Sequence, residues 1–171
     1  MSISMSSAAL PICTSMLGNL SHFLDKAQAH AEGKKFDPQV LVDYRLAPDM
    51  LPFKRQVLIA CDACKNGLAR LSGVEAPKFE DKEATLAELK ERIRKTLDYL
   101  DSVPRASVDG CEDKDITFPV GRETTRTMKG EAYLLNWALP NLFFHVTTAY
   151  AILRHNGVEL GKTDYLMGAR A

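Results

Sequence analysis

No basic run in the 171-residue chain exceeds two residues, and 22 Lys and Arg balance 22 Asp and Glu. Sequence-blind binding to nucleic acid, which needs a net basic footprint, is therefore not expected. No apolar stretch approaches the ~20 residues that a membrane-crossing helix requires. Glycine (10) and proline (8) are too sparse for a fibrous repeat or a disordered low-complexity chain. The first cation is Lys26, so the opening lacks the basic start of a secretory leader. The four cysteines are then expected to be reduced thiols in a cytoplasm. Cys61-Asp62-Ala63-Cys64 has redox-motif spacing, yet it lies inside a helical pattern with no glycine or proline beside it, and reads as small core residues.

What is present is helical periodicity. Apolar residues recur at Cys13, Leu17, Leu20, Phe23, Leu24 and Ala27, and Gly33 is expected to cap this first helix. A short turn is expected at Val40–Tyr44. Asp49 is expected to cap a second helix with Pro52 in its first turn. In it Met50, Phe53, Val57, Cys61, Cys64, Leu68 and Leu71 fall within about 40° of one line. Thr85 and Glu88 spell a capping box, opening a third helix that buries Leu86, Leu89, Ile93, Leu97, Leu100 and Val103. Its charged residues Glu88, Lys90, Glu91, Arg92, Arg94 and Lys95 read as a solvated face. The pattern then breaks. Ile116–Val120 and Thr124–Met128 suit a short hairpin, with proline confining the strand to an edge. A fourth helix is expected over 130–155, stopping at Asn156-Gly157. The Gly161–Tyr165 tail has too many glycines and charges for a helix and is expected to fold over the bundle end. The resulting class is all-α: a four-helix bundle in one domain spanning 1–171, with a short non-helical or hairpin insertion before the last helix.

The fourth helix carries the chemistry. Leu134, Ala138, Asn141, Ala149 and Ile152 lie within about 40° of His145. An imidazole and an amide one turn apart thus point inward, where leaving them unpaired would cost roughly 1–3 kcal/mol each. Thr148 on the same flank is one candidate partner. Pro140 removes a backbone bond and invites a kink just before Asn141. Trp137 and Phe143 fall away from the inward line, so the apolar surface exceeds one face, as a homodimer contact would require. His22 sits at the edge of the first helix's apolar stripe; His30 and His155 lie near helix ends.

Asn141-x3-His145-x2-Thr148, followed by Ile152-Leu153-Arg154 and Asn156-Gly157-Val158, resembles the last helix of the DinB/YfiT-like superfamily. Leu51–Gly73, ending Leu68-Ala69-Arg70-Leu71-Ser72-Gly73, is similar to its second helix. Leu24-Asp25-Lys26-Ala27, Arg45–Met50, Leu139–His145 and Gly161–Leu166 resemble, more narrowly, a bacterial branch classed as a domain of unknown function. The resemblance implies a bundle, often dimeric, with a divalent metal such as zinc or nickel held between helices. It further implies a small-molecule transferase, isomerase or hydrolase. The chain departs from that pattern: His145 matches one ligand, Asn141 replaces a second histidine, and Thr148 replaces a glutamine. With no histidine between His30 and His145, the second helix can offer only Cys61, Cys64 or Asp62. Such a set binds these ions weakly, because an amide oxygen is a poor neutral donor for them. Two readings stand. In one, His145 is ligand or general base, Asn141 orients a small-molecule substrate, and Asp62 or Cys61 completes the site. In the other, the chain is a non-catalytic homodimer whose His145/Asn141 pair fixes the core, with no metal bound.

Overall fold

The computed structural model describes residues 3–121 and 123–170. It is mostly helical, with one two-stranded antiparallel sheet. Four helices of 17 or more residues make the frame: α1 (Met5–Lys34), α3 (Phe53–Ser72), α4 (Leu86–Ser102) and α7 (Leu139–His155). Short helices α2 (Gln39–Asp43), α5 (Arg105–Val108) and α6 (Gly130–Tyr133) lie in the connections, and α8 (Lys162–Met167) follows the last long helix. None of the described helices is long and apolar enough to cross a membrane.

α1 is longer than its apolar pattern. Ser4 caps it by accepting from the Ser7 amide, and Pro11 therefore falls inside the helix. The carbonyl it orphans belongs to Ser7, an exposed residue. The helix also runs through Gly33: the left-handed cap is Lys35, at φ 58°. Pro52, in extended conformation, precedes α3 directly, so Asp49 lies outside that helix. The capping box at Thr85 forms as expected, with Glu88 N–H donating to Thr85 Oγ1 (3.2 Å) and Thr85 N–H donating to Glu88 Oε2 (3.0 Å).

Strands β1 (Asp115–Val120) and β2 (Thr124–Lys129) form the expected hairpin, with Asp115 opposite Lys129. β1 supplies the buried side chains, and from β2 only Met128 packs partly against the core. Ile116 and Phe118 are buried, and Phe118 packs on Tyr133 and Trp137 at centroid distances of 4.8 and 4.9 Å. Trp137 is thereby half covered by the hairpin. α6 leads into a π turn, Leu134–Ala138, in which Leu139 N–H reaches back to the Leu134 carbonyl. The expected irregularity thus lies in the turn before Pro140, where the wider hydrogen-bond pattern absorbs the missing donor.

Two further expectations are corrected. The tail is helical: α8 lies along α1, its Asp164 carboxylate accepting from Lys26 Nζ (2.8 Å), His22 Nε2 (3.0 Å) and Gly161 N–H (2.6 Å). Burial alone would raise the Asp164 pKa, but those donors hold it at about 2. The second correction is Arg92. Expected on a solvated face, it is 2% exposed. Arg92, Thr96 and Tyr99, at i, i+4 and i+7, form a second buried stripe beside the apolar one.

Gly130 is required by close approach. A Cβ there would stand 1.9 Å from the Cys111 carbonyl oxygen, where Glu131 N–H also docks on the Glu112 carbonyl (3.0 Å). The expected outcome for Gly130→Ala is a loss of about 2–3 kcal/mol, read by thermal or urea melting, as the hairpin end is pushed off α6.

Candidate functional site

α3 and α7 pack antiparallel. Gln56, near the start of α3, meets His145 in α7, while Gly67, near its end, faces Ala138, whose Cβ is 3.6 Å from where a side chain would begin. At the first crossing the imidazole and the Gln56 amide make one hydrogen bond, Nδ1 to Oε1, of 2.7 Å. The amide is oriented from the other side, because its Nε2 donates to the Leu51 carbonyl at 2.9 Å. Oε1 is therefore an acceptor, and Nδ1 must carry the proton. Nε2 keeps its lone pair and makes no hydrogen bond among the described residues. The ring is 9% exposed, and burial pushes its pKa down to about 4. At neutral pH it is an uncharged imidazole of fixed tautomer, with Phe144 edge-on at 5.2 Å.

The other sequence candidates do not gather around it. Asn141, one turn earlier, is half-buried and makes no hydrogen bond among the described residues. Thr148 is buried but donates to the Phe144 carbonyl in its own helix (2.8 Å) rather than to His145. Cys61 faces Thr96 on α4, and burial pushes its thiol up to about 12. Cys64 is buried beside Cys13 and likewise raised by burial. Asp62 turns away to Lys65, its Oδ1 3.0 Å from the ammonium. His30 and His155 rest against Phe36 and Tyr44 at centroid distances of 5.6 and 5.8 Å.

These donors do not fit a resident divalent metal. A stable site needs three or four converging ligands, with thiols as thiolates. Here one imidazole nitrogen is already committed to Gln56, and the thiols are held protonated by burial. Among the described residues no three His, Cys, Asp or Glu side chains are arranged to hold an ion.

Two buried polar residues, Gln56 in this seam and Arg92 outside it, carry weak sequence signals. Gln56 lies about 100° from Val57 and so falls off the apolar stripe, reaching His145 only because its side chain is long. Arg92 sits within an alternating-charge string, and its burial is signalled only by Thr96 and Tyr99 at helical spacing after it.

The His145 pKa makes a pH prediction. The folded value, about 4, lies below the ordinary 6.5, so the unfolded chain takes up the proton first. The resulting stability is complete above pH ~6.5 and is lost as pH falls towards 4, by about 3 kcal/mol in all. Urea melts across this window should show that loss, and His145→Gln should flatten it.

No functionally curated protein matches. The chain is similar to a DinB family member protein from Shewanella denitrificans, whose crystal structure shares 45% sequence identity with it. The match covers 94% of this chain and 90% of that one, at a TM-score of 0.86. The family described as a domain of unknown function, DUF1993, matches residues 5–166. A match over nearly the whole length, borne out by that structural likeness, means that the chain belongs to this DinB-like family, DUF1993.

Proposed function

We propose that this protein is a four-helix bundle of the DinB/YfiT kind that works by associating with a second copy, and that His145 is a structural fastening between α3 and α7. The observation that carries this reading is the His145–Gln56 bond: the one inward imidazole is spent on a helix-to-helix contact and held neutral by burial. Around it lies a surface suited to association. Phe144 is 57% exposed and Phe143 37%. Leu46 and Leu51 in the connection before α3 are also exposed, as are Leu166 and Met167 on α8, which is tied to α7 by Thr147 Oγ1 donating to Tyr165 Oη (3.1 Å). Six exposed apolar side chains on α7, α8 and the connection before α3 are the contact surface in this reading.

A small-molecule transferase or hydrolase is the second reading, favoured by the free Nε2 of His145 and the unpaired Asn141 amide. In it the neutral imidazole is general base and Asn141 orients the substrate; a metal-assisted version would need Asp62 or Cys61 to swing in beside His145.

Sedimentation of the purified chain at micromolar concentration is expected to show a dimer that Phe144→Glu converts to monomer with its helical signal intact. A wild type that stays monomeric overturns the association reading. His145→Ala is expected to lose roughly 1–3 kcal/mol, the cost of stranding Gln56 Oε1, without altering any zinc- or nickel-dependent shift in Tm. Intact stability combined with a lost metal or ligand response would favour the second reading instead.

A further inference from the structure

The connection between α3 and α4 has no regular secondary structure, and none of residues 73–85 is fully buried. Yet it covers the two most buried cations among the described residues, Arg92 at 2% and Lys65 at 6% exposed. Val74 and Ala76 pack against the core at its first end, and over its middle the grip is chiefly ionic. Glu83 Oε1 accepts from Arg92 Nε at 2.6 Å, Asp81 Oδ1 from Arg92 Nη2 at 2.6 Å, and Asp81 Oδ2 from Arg55 Nη1 at 2.7 Å. The Phe79 ring lies 4.6 Å from both the Arg92 guanidinium carbon and Lys65 Nζ. At its two ends it is pinned by Tyr99 Oη on the Val74 carbonyl (3.1 Å) and by the Ala84 amide on Glu88 (2.8 Å).

Within the segment, the one backbone hydrogen bond joins Lys82 N–H to the Glu80 carbonyl (2.7 Å). Lifting the middle of the connection would thus break few backbone bonds and bury little less apolar surface. Such segments occupy the low-stability end of a fold's local opening. Underneath, the polar groups are incompletely satisfied even when it is closed. Arg92 Nη1 is buried without a hydrogen-bond partner, its approach to Asp62 Oδ1 being 3.9 Å. A cavity of about 410 Å3 lies between the connection and α4, lined on the α4 side by Arg92 and Lys95 and also by Glu88 and Glu91, and on the other by Phe79 and Glu83.

We propose that residues 74–84 are a lid latched on Arg92, closing a cationic groove between α3 and α4 that takes an oxyanion when the lid is open. Closed, the carboxylates of Asp81 and Glu83 are the groove's internal ligands. Open, Arg55, Lys65, Arg92 and Lys95 face Asp62, Glu88 and Glu91, a balance still positive by one charge, so an external phosphate or carboxylate replaces the two that left. Arg92 supplies the fork geometry that such oxyanions match, with Nη1 as a donor the lid itself does not use. The groove is separate from the His145 seam and does not depend on the function proposed above.

Arginine modification by phenylglyoxal, mapped by mass spectrometry on the full chain, tests this. Arg94, exposed two residues further along α4, is the internal reference. In the wild type Arg92 should label at least ten-fold more slowly than Arg94. The Asp81→Asn, Glu83→Gln double variant should bring the two rates within about three-fold while its circular dichroism stays helical. Inorganic phosphate should then slow Arg92 labelling in the variant without affecting Arg94. Three results would overturn the proposal: a variant Arg92 as protected as in the wild type, labelling that rises only as helicity is lost, or indifference to phosphate. Should the double variant not fold, Phe79→Ala, which retains every charge, is read in the same way.

Discussion

An imidazole placed between two helices must be paired, charged or costly, and this one is paired. The bond from His145 to Gln56 sets the tautomer, leaves one nitrogen free, and commits α3 and α7 to a single relative register. The Leu51 carbonyl extends the chain of constraint by holding the Gln56 amide the right way round. Because the acceptor is neutral, burial has no opposing carboxylate to offset it, and the ring stays uncharged. A carboxylate in place of Gln56 would have drawn the ring towards the cation. The amide therefore decides the chemical character of the whole seam.

The frame of the molecule was legible in its sequence wherever burial follows periodicity. The four long helices, the Thr85–Glu88 cap and the Ile116–Val120 hairpin all arise from local pattern and local hydrogen-bonding chemistry, as does the inward direction of His145. Failures came where a polar side chain is buried by a distant part of the chain. Nothing local to Arg92 announces that Phe79, Asp81 and Glu83 will close over it. Nor does the composition of Gly161–Tyr165 reveal that Asp164 meets Lys26 and His22 on α1. The same limit applies at the candidate site. The wheel put His145 and Asn141 on one line, but the partner came from another helix, off that helix's own apolar stripe.

Two kinds of buried charge occur in the fold, and they are managed differently. Asp164 is surrounded by donors from α1 and from its own helix turn, and so fastens a terminal element. Arg92 is surrounded by acceptors from a segment with little else to hold it, and so fastens a connection. In both cases a charge-assisted contact substitutes for apolar area that short, polar segments do not possess. Replacing such contacts piecemeal strands a charge, which is why single substitutions there cost more than the pairs themselves contribute.

The π turn at Leu134–Ala138 bears on how this chain tolerates change in length. A widened turn amounts to one residue more than a regular helix would hold, absorbed without breaking the rod. Shortening the segment by one residue can relax it to ordinary winding, letting everything after it keep its face towards α3. The same deletion a turn later, past Pro140, has no slack to draw on and would swing the remaining helix by about 100°. Length variation in this stretch should therefore concentrate between Tyr133 and Leu139.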